Sequence, residues 1–107
     1  AGSFLFPALA QRGPLTVGIS TGGASPDAAV YVKRRVETAL PGAEFGPILT
    51  WLAACRGPVK AALGCESIRA ALFARLFDAC MEKGRPLTDG EFAALLDQAK
   101  QEENTHV

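Results

Sequence analysis

The sequence predicts an α+β fold: a β-hairpin and helix unit followed by a small all-α helical bundle. Two short apolar segments flank Gln11-Arg12-Gly13-Pro14, which is turn chemistry. A Ser25-Pro26-Asp27 signature after two glycines opens a stripe with i, i+3, i+4 spacing. Beyond Pro41-Gly42 the apolar residues keep helical spacing. The boundary falls near Pro41 to Gly46 and gives domains of residues 1–43 and 44–107.

The first strand is Phe4-Leu5-Phe6-Pro7-Ala8-Leu9-Ala10, with Pro7 marking an edge or a bulge. The second is Leu15-Thr16-Val17-Gly18-Ile19-Ser20, whose alternation puts Leu15, Val17 and Ile19 on one face. Thr16, Gly18 and Ser20 form a small opposite face, open to another backbone or a ligand. A hairpin of this size is marginal alone, so the pattern calls for another sheet, with a partner subunit as the obvious supplier.

Ser25 is placed to cap the first helix, Pro26 to occupy its first position and Asp27 to meet the positive end of its dipole. Ala29, Val32, Val36, Ala39 and Leu40 make its apolar stripe, and Pro41-Gly42 stops it. Pro47 is placed to open the next helix through Ile48, Leu49, Trp51, Leu52 and Cys55, with a break at Gly57-Pro58 before Leu63. Another runs from about Glu66 to Lys83, with Ile68, Leu72, Leu76 and Cys80 on one face, widened by Phe73 and Phe77. Gly84-Arg85-Pro86 ends it. Thr88-Asp89-Gly90-Glu91 is a capping box for a last helix striped by Phe92, Leu95, Leu96 and Ala99, and residues 101–107 are expected to fray.

The 107 residues carry eleven Lys and Arg against eleven Asp and Glu, so no net field draws in nucleic acid or an acidic membrane surface. Apolar residues make up 49%, enough for a core, yet no run approaches the roughly 20 of a membrane span. Ala1-Gly2-Ser3 lacks the basic n-region of a signal peptide and runs straight into a strand, so the expectation is that further chain precedes Ser3. Cys55, Cys65 and Cys80 are irregularly spaced, and His106 adjoins the terminus, so the expectation is reduced, packed thiols in a cytoplasmic protein, with no metal site. Trp51, Phe45 and Tyr31 read as core aromatics.

Ser20 to Pro26 is the one chemically suggestive segment. A strand ending in hydroxyl residues, two glycines and a helix N-terminus offers backbone N–H groups and a positive dipole end to an anion. Ser20, Thr21, Gly22, Gly23 and Ser25 are the candidate ligand contacts, with Arg12 and Arg35 as outlying cations. The segment is neither a Walker A loop nor GxGxxG, and a sharp turn with a helix cap explains the same residues equally well. No Cys–His or Ser–His–Asp set accompanies it, so no catalytic residue is assigned.

Ser3-Phe4-x-x-Pro7-Ala8, followed by Arg12-Gly13-Pro14-Leu15-Thr16-Val17-Gly18-Ile19-Ser20-Thr21-Gly22-Gly23-Ala24-Ser25-Pro26, resembles the central part of the bifunctional precorrin-2 dehydrogenase/sirohydrochlorin ferrochelatases. These form the N-terminal half of multifunctional siroheme synthases and also occur as free-standing enzymes. Beyond residue 42 the likeness is weaker, with Arg56-x-x-Val59-Lys60 and the helix from Arg69 to Asp78 as counterparts of the family's helical region. Gly57-Pro58 departs from the uninterrupted basic helix of that region.

The resemblance implies a homodimerisation domain and a C-terminal helical domain of an enzyme whose NAD-binding Rossmann domain precedes them in cis. It implies a tetrapyrrole ligand, precorrin-2 or sirohydrochlorin, with Fe²⁺ as the chelatase substrate. NAD would bind to the intact enzyme and not to this chain, and the family's acid/base aspartate would lie a few residues ahead of Ser3. Thr21 occupies the place of a serine that in some members lies by the tetrapyrrole and can be phosphorylated. Two readings stand beside this one: a non-enzymatic homodimerisation module with a structural loop, and a phosphate-binding loop of a sugar-phosphate protein.

Overall fold

The computed structural model describes residues 8–105, so the segment Phe4 to Pro7 and His106 lie outside the described residues. The chain divides between Gly46 and Pro47 into two compact units, each with its own apolar core. The observed class is α+β, with an antiparallel hairpin followed by four helices.

In the first unit, β1 (Ala8–Arg12) pairs with β2 (Leu15–Ile19) in a register running from Ala8↔Ile19 to Arg12↔Leu15. The turn is therefore only Gly13-Pro14, and Gln11 and Arg12 belong to the strand and not to the turn expected for them. A two-residue turn between right-handed twisted strands needs positive φ at its first position, which Gly13 supplies at 58°. Pro14 then holds negative φ, the combination of a type II′ turn. A Cβ on Gly13 would stand 2.6 Å from the Gly46 Cα, so sterics also require glycine here.

The alternation of β2 is as expected, with Ile19 buried, Leu15 and Val17 half-buried, and Thr16 and Gly18 exposed. The inner face of the hairpin is covered by α1 (Pro26–Ala39), where Ala29 meets Ala8, Ala10 and Ile19, flanked by Val17, Val36 and Leu40. The small alanines let helix and hairpin approach closely. Val32 and Ala39, expected on the core stripe, are exposed; the stripe runs instead through Ala29, Val36 and Leu40. Tyr31, expected in a core, is 62% exposed. It lies on the outer face of α1, where the Arg35 guanidinium sits 5.9 Å from its ring centre.

In the second unit, α2 (Phe45–Ala62) is one continuous helix through Pro58, where a break was expected. Proline removes one donor, but Ala54, whose carbonyl loses its partner, and Pro58 itself are both exposed, so water can serve that carbonyl. Cys55, Val59 and Leu63 continue the buried stripe across the site, and this packing holds the helix together. The helix also starts two residues ahead of Pro47, whose missing N–H falls among those with no helical partner anyway.

Helix α3 (Glu66–Lys83) buries the four expected residues Ile68, Leu72, Leu76 and Cys80. Full burial of each leucine or isoleucine contributes about 1.5–3 kcal/mol, which makes this stripe the backbone of the core. Phe73 packs partly against it, whereas Phe77 is exposed. Gly84 ends the helix in the left-handed region at φ 71°, donating its N–H to the Cys80 carbonyl. Helix α4 (Asp89–Thr105) brings Phe92, Leu95, Leu96 and Ala99 onto the core, and Trp51 meets Phe92 edge to face at 5.9 Å. Trp51 is thus a core aromatic, as expected. The expected fraying from residue 101 does not occur before Thr105, because Glu102 pairs with Arg75 at 2.8 Å and Glu103 accepts from the Cys65 N–H. Among the described residues no helix is long and apolar enough to cross a membrane.

Candidate functional site

The loop between β2 and α1 is held by its own hydroxyls. The Thr21 Oγ1 accepts the Ser25 N–H at 3.1 Å and donates to the Ser25 carbonyl at 3.1 Å, closing a small ring. The Ser20 Oγ accepts the Gly22 N–H at 3.2 Å, and the Ala24 N–H reaches the Thr21 carbonyl at 3.2 Å. The Ser25 Oγ accepts the Ala28 N–H at 3.0 Å, which is the predicted helix cap. Gly22 and Gly23 have φ of 66° and 84°, with open space where a Cβ would stand.

A count of donors shows what this loop can still offer. Each hydroxyl has one hydrogen and two lone pairs. Thr21 has committed its hydrogen to the Ser25 carbonyl. Ser20 and Ser25 act only as acceptors, so their O–H hydrogens are available. Among the described residues the N–H groups of Gly23 and Asp27 also take no partner. Two hydroxyls and two backbone amides therefore remain available on the exposed segment that leads into the positive end of the α1 dipole. The Asp27 carboxylate opposes part of that positive potential.

The structure brings Ser20, Thr21, Gly22, Gly23 and Ser25 together but places the two arginines elsewhere. Arg12 donates through Nε to the Pro41 carbonyl at 3.0 Å and through Nη2 to the Glu37 carbonyl at 3.4 Å. It closes the C-terminal end of α1, a helix with no basic residue in its own last turn, at the opposite end from the loop. Arg35 lies nine positions beyond Pro26, about 14 Å along the helix axis, beside a shallow hollow it shares with Thr38.

The helical unit holds a second chemically distinctive place, which none of the residues expected to contact a ligand marks. Arg56 and Lys60 on α2 and Arg69 on α3 line one hollow with Glu66, Ala70 and Phe73. The i, i+4 spacing of Arg56 and Lys60 was a visible signal, but only the helix pairing shows that Arg69 joins them. Cys55 and Cys80 are buried free thiols, as the packed-thiol expectation had it, while Cys65 is half-buried. Burial first, then the neighbouring Cys80, pushes the Cys55 thiol up to about 11.

Residues 12–39 match the family model described as the central region of sirohaem biosynthesis proteins. The chain is 42% identical over 60 residues to a siroheme synthase of Methylococcus capsulatus, covering 56% of this chain and 12% of that protein. A siroheme synthase of Escherichia coli is 34% identical over 77 residues, covering 72% of this chain and 17% of that protein. One from Psychrobacter arcticus is 33% identical over 75 residues, covering 70% and 14% respectively. The chain thus spans less than a fifth of the length of these relatives. The hairpin turn, the glycine loop and α1 all fall within the matched stretch, so the chain's likeness to the central region of the sirohaem biosynthesis proteins is carried by residues 12–39, and over a longer stretch it is similar to a segment of the siroheme synthases.

Proposed function

We propose that this chain is the dimerisation and tetrapyrrole-holding part of a cytoplasmic siroheme biosynthesis enzyme. In that enzyme precorrin-2 is oxidised to sirohydrochlorin with NAD⁺, and Fe²⁺ is then inserted. The observation that carries the reading is that the family match contains the glycine loop, where Ser20, Gly23, Ser25 and Asp27 keep hydrogens for an anion. Precorrin-2 and sirohydrochlorin bear several acetate and propionate groups, which is the chemistry that a helix N-terminus holds well. The chain's own part is to bind and orient those carboxylates.

The sheet among the described residues is an antiparallel hairpin, without the parallel βαβ unit on which a dinucleotide pyrophosphate rests. In support of dimerisation, Leu9 stands 45% exposed opposite Gly18 on the outer hairpin face, and Val30, Tyr31 and Val32 form exposed apolar surface on α1. A second copy packed on either of these faces would bury apolar side chains that the small core, built mainly from alanines, leaves exposed.

The closed hydrogen-bond ring between Thr21 and Ser25 favours a second reading, a homodimerisation module whose loop is purely structural. Titration of the chain with sirohydrochlorin, followed by absorbance, separates the two. The first reading expects saturable binding that Ser20→Ala weakens about tenfold, the effect of one lost hydrogen bond to a charged group, and that Gly23→Val also weakens, because a β-branched side chain strains the backbone at φ 84°. A dimer by analytical ultracentrifugation that leaves the sirohydrochlorin spectrum unchanged would establish the structural loop instead.

A further inference from the structure

We propose that the hollow between α2 and α3 is a binding site for a small polyanion with at least two spaced acidic groups, separate from the glycine loop. The hollow has a volume of about 380 Å³ and is lined by Arg56, Lys60, Glu66, Arg69, Ala70 and Phe73. Three cations face one carboxylate, leaving two positive charges to be balanced. Among the described residues none of the three cations forms an ion pair; all the pairs on this unit involve Arg75, Lys83 and Arg85.

Each lining group has a distinct state. Arg56 holds its guanidinium over the Phe73 ring, 5.5 Å from its centre, a cation–π contact that restrains the side chain at the hollow. Arg69 holds the Leu63 carbonyl by one long bond of 3.5 Å through Nη1, so most of its donors are uncommitted. The Lys60 ammonium makes no hydrogen bond or ion pair among the described residues and can reach a ligand freely. Lys60 follows Arg56 by one turn of α2, about 6 Å along the axis, while Arg69 approaches from the other helix. Cations spread in this way suit two or three separated acidic groups better than a single compact ion. Glu66, at the start of α3, sets an electrostatic limit on how much negative charge the hollow accepts.

The test is an NMR titration of the full chain, following the Arg56 and Arg69 side-chain Nε signals and the Phe73 ring. Tricarballylate and pyrophosphate serve as carboxylate and phosphate probes, with sodium chloride at matched ionic strength as control. Saturable shifts confined to these residues are expected, and the tighter probe identifies the acidic group preferred. Lys60→Gln, which breaks no ion pair among the described residues, should weaken binding about three- to tenfold, and Glu66→Gln should tighten it by a similar factor, as expected for partly exposed charges. Lys100→Gln, which removes the same charge from α4, should change nothing. Shifts that never saturate, that sodium chloride reproduces, or that respond equally to Lys60→Gln and Lys100→Gln would overturn the proposal. Sirohydrochlorin plays no part in this titration, so its outcome is independent of the loop's role.

Discussion

The carboxylate of Glu103, two residues from the end of α4, accepts the backbone N–H of Cys65 at 2.6 Å. Cys65 is the N-cap of α3 and makes no side-chain cap of its own. A carboxylate at that position therefore supplies what the local sequence lacks, an acceptor and a negative charge at the positive end of the helix dipole. Glu103→Ala should lower the unfolding free energy by about 1–2 kcal/mol, the cost of a part-buried donor left without its charged partner. Urea denaturation followed by circular dichroism measures this. An unchanged midpoint would mean that the contact contributes nothing.

The three thiols should separate by reactivity. The Ser67 hydroxyl, followed by the Ile68 N–H, lowers the Cys65 thiol below its ordinary value, although Glu103 works against this. Burial raises Cys55 and Cys80. The thiolate is the reactive form, so iodoacetamide at pH 8 should label Cys65 well before the other two. Glu103→Gln should accelerate Cys65 labelling further, because the opposing charge is gone. Mass-spectrometric mapping at early times checks both statements, and equal labelling of Cys55 would contradict its place in the core.

Cys55 also gives the fold an alkaline limb. Its folded value of about 11 lies above that of an unfolded thiol, so the folded state favours the protonated form. The resulting stability is complete below the unfolded value of about 8.5 and is lost as pH rises through the folded one. Cys55→Ala would leave a cavity and Cys55→Ser would bury a hydroxyl, so the control is Cys55→Val, which keeps an apolar side chain of similar size. Thermal melts of the wild type should fall between pH 9 and 11 more steeply than those of Cys55→Val. Parallel curves would assign the alkaline loss to other groups.

Local chemistry made much of this fold legible in the sequence. Ser25-Pro26-Asp27, the stripe Ile68, Leu72, Leu76 and Cys80, and Thr88 to Glu91 each act within a turn or two of themselves, and each is found as read. The misreadings have non-local causes. Gln11 and Arg12 look like turn residues until their pairing with Thr16 and Leu15 is known. Pro58 breaks a helix by propensity, but Cys55, Val59 and Leu63 pack on both sides of it. The glycine loop could be located from its residues, whereas the engagement of Thr21 in a ring with Ser25 depends on backbone geometry that spacing does not encode. The α2–α3 hollow was hidden for the same reason, since Arg69 joins Arg56 and Lys60 only by helix pairing.

The capping box of α4 predicts an acid limb. The Thr88 Oγ1 accepts the Glu91 N–H at 3.2 Å, and Glu91 Oε1 accepts the Thr88 N–H at 2.8 Å. The same carboxylate pairs with Arg85 at 2.9 Å and Lys83 at 3.3 Å. Arg85 first, then the Thr88 N–H, holds Glu91 well below the usual carboxylate range. Its contribution is therefore present above the unfolded value of about 4.3 and is lost as pH falls below it. Glu91→Gln should flatten the fall in stability on the acid side of pH 4, and Thr88→Ala should cost about 1 kcal/mol at neutral pH. Melting curves from pH 2 to 7 distinguish the two effects, and an acid limb unaltered by Glu91→Gln would remove Glu91 as its source.

Two glycines with the same backbone sign should respond differently to alanine. Gly13 and Gly22 have φ of 58° and 66°, so each substitution carries the left-handed penalty of about 1–2 kcal/mol. At Gly22 nothing lies within reach of an added Cβ, and backbone strain is the whole cost. At Gly13 the Cβ would meet the Gly46 Cα at 2.6 Å, and backbone on both sides must move to admit it. Gly13→Ala should therefore destabilise the hairpin unit by about 1–3 kcal/mol more than Gly22→Ala, the usual range for overpacking. Hydrogen exchange at the Ala10 and Val17 amides of the hairpin reports on this directly. Equal losses for the two variants would show that the Gly13 turn yields without cost, and that its glycine serves the backbone angle alone.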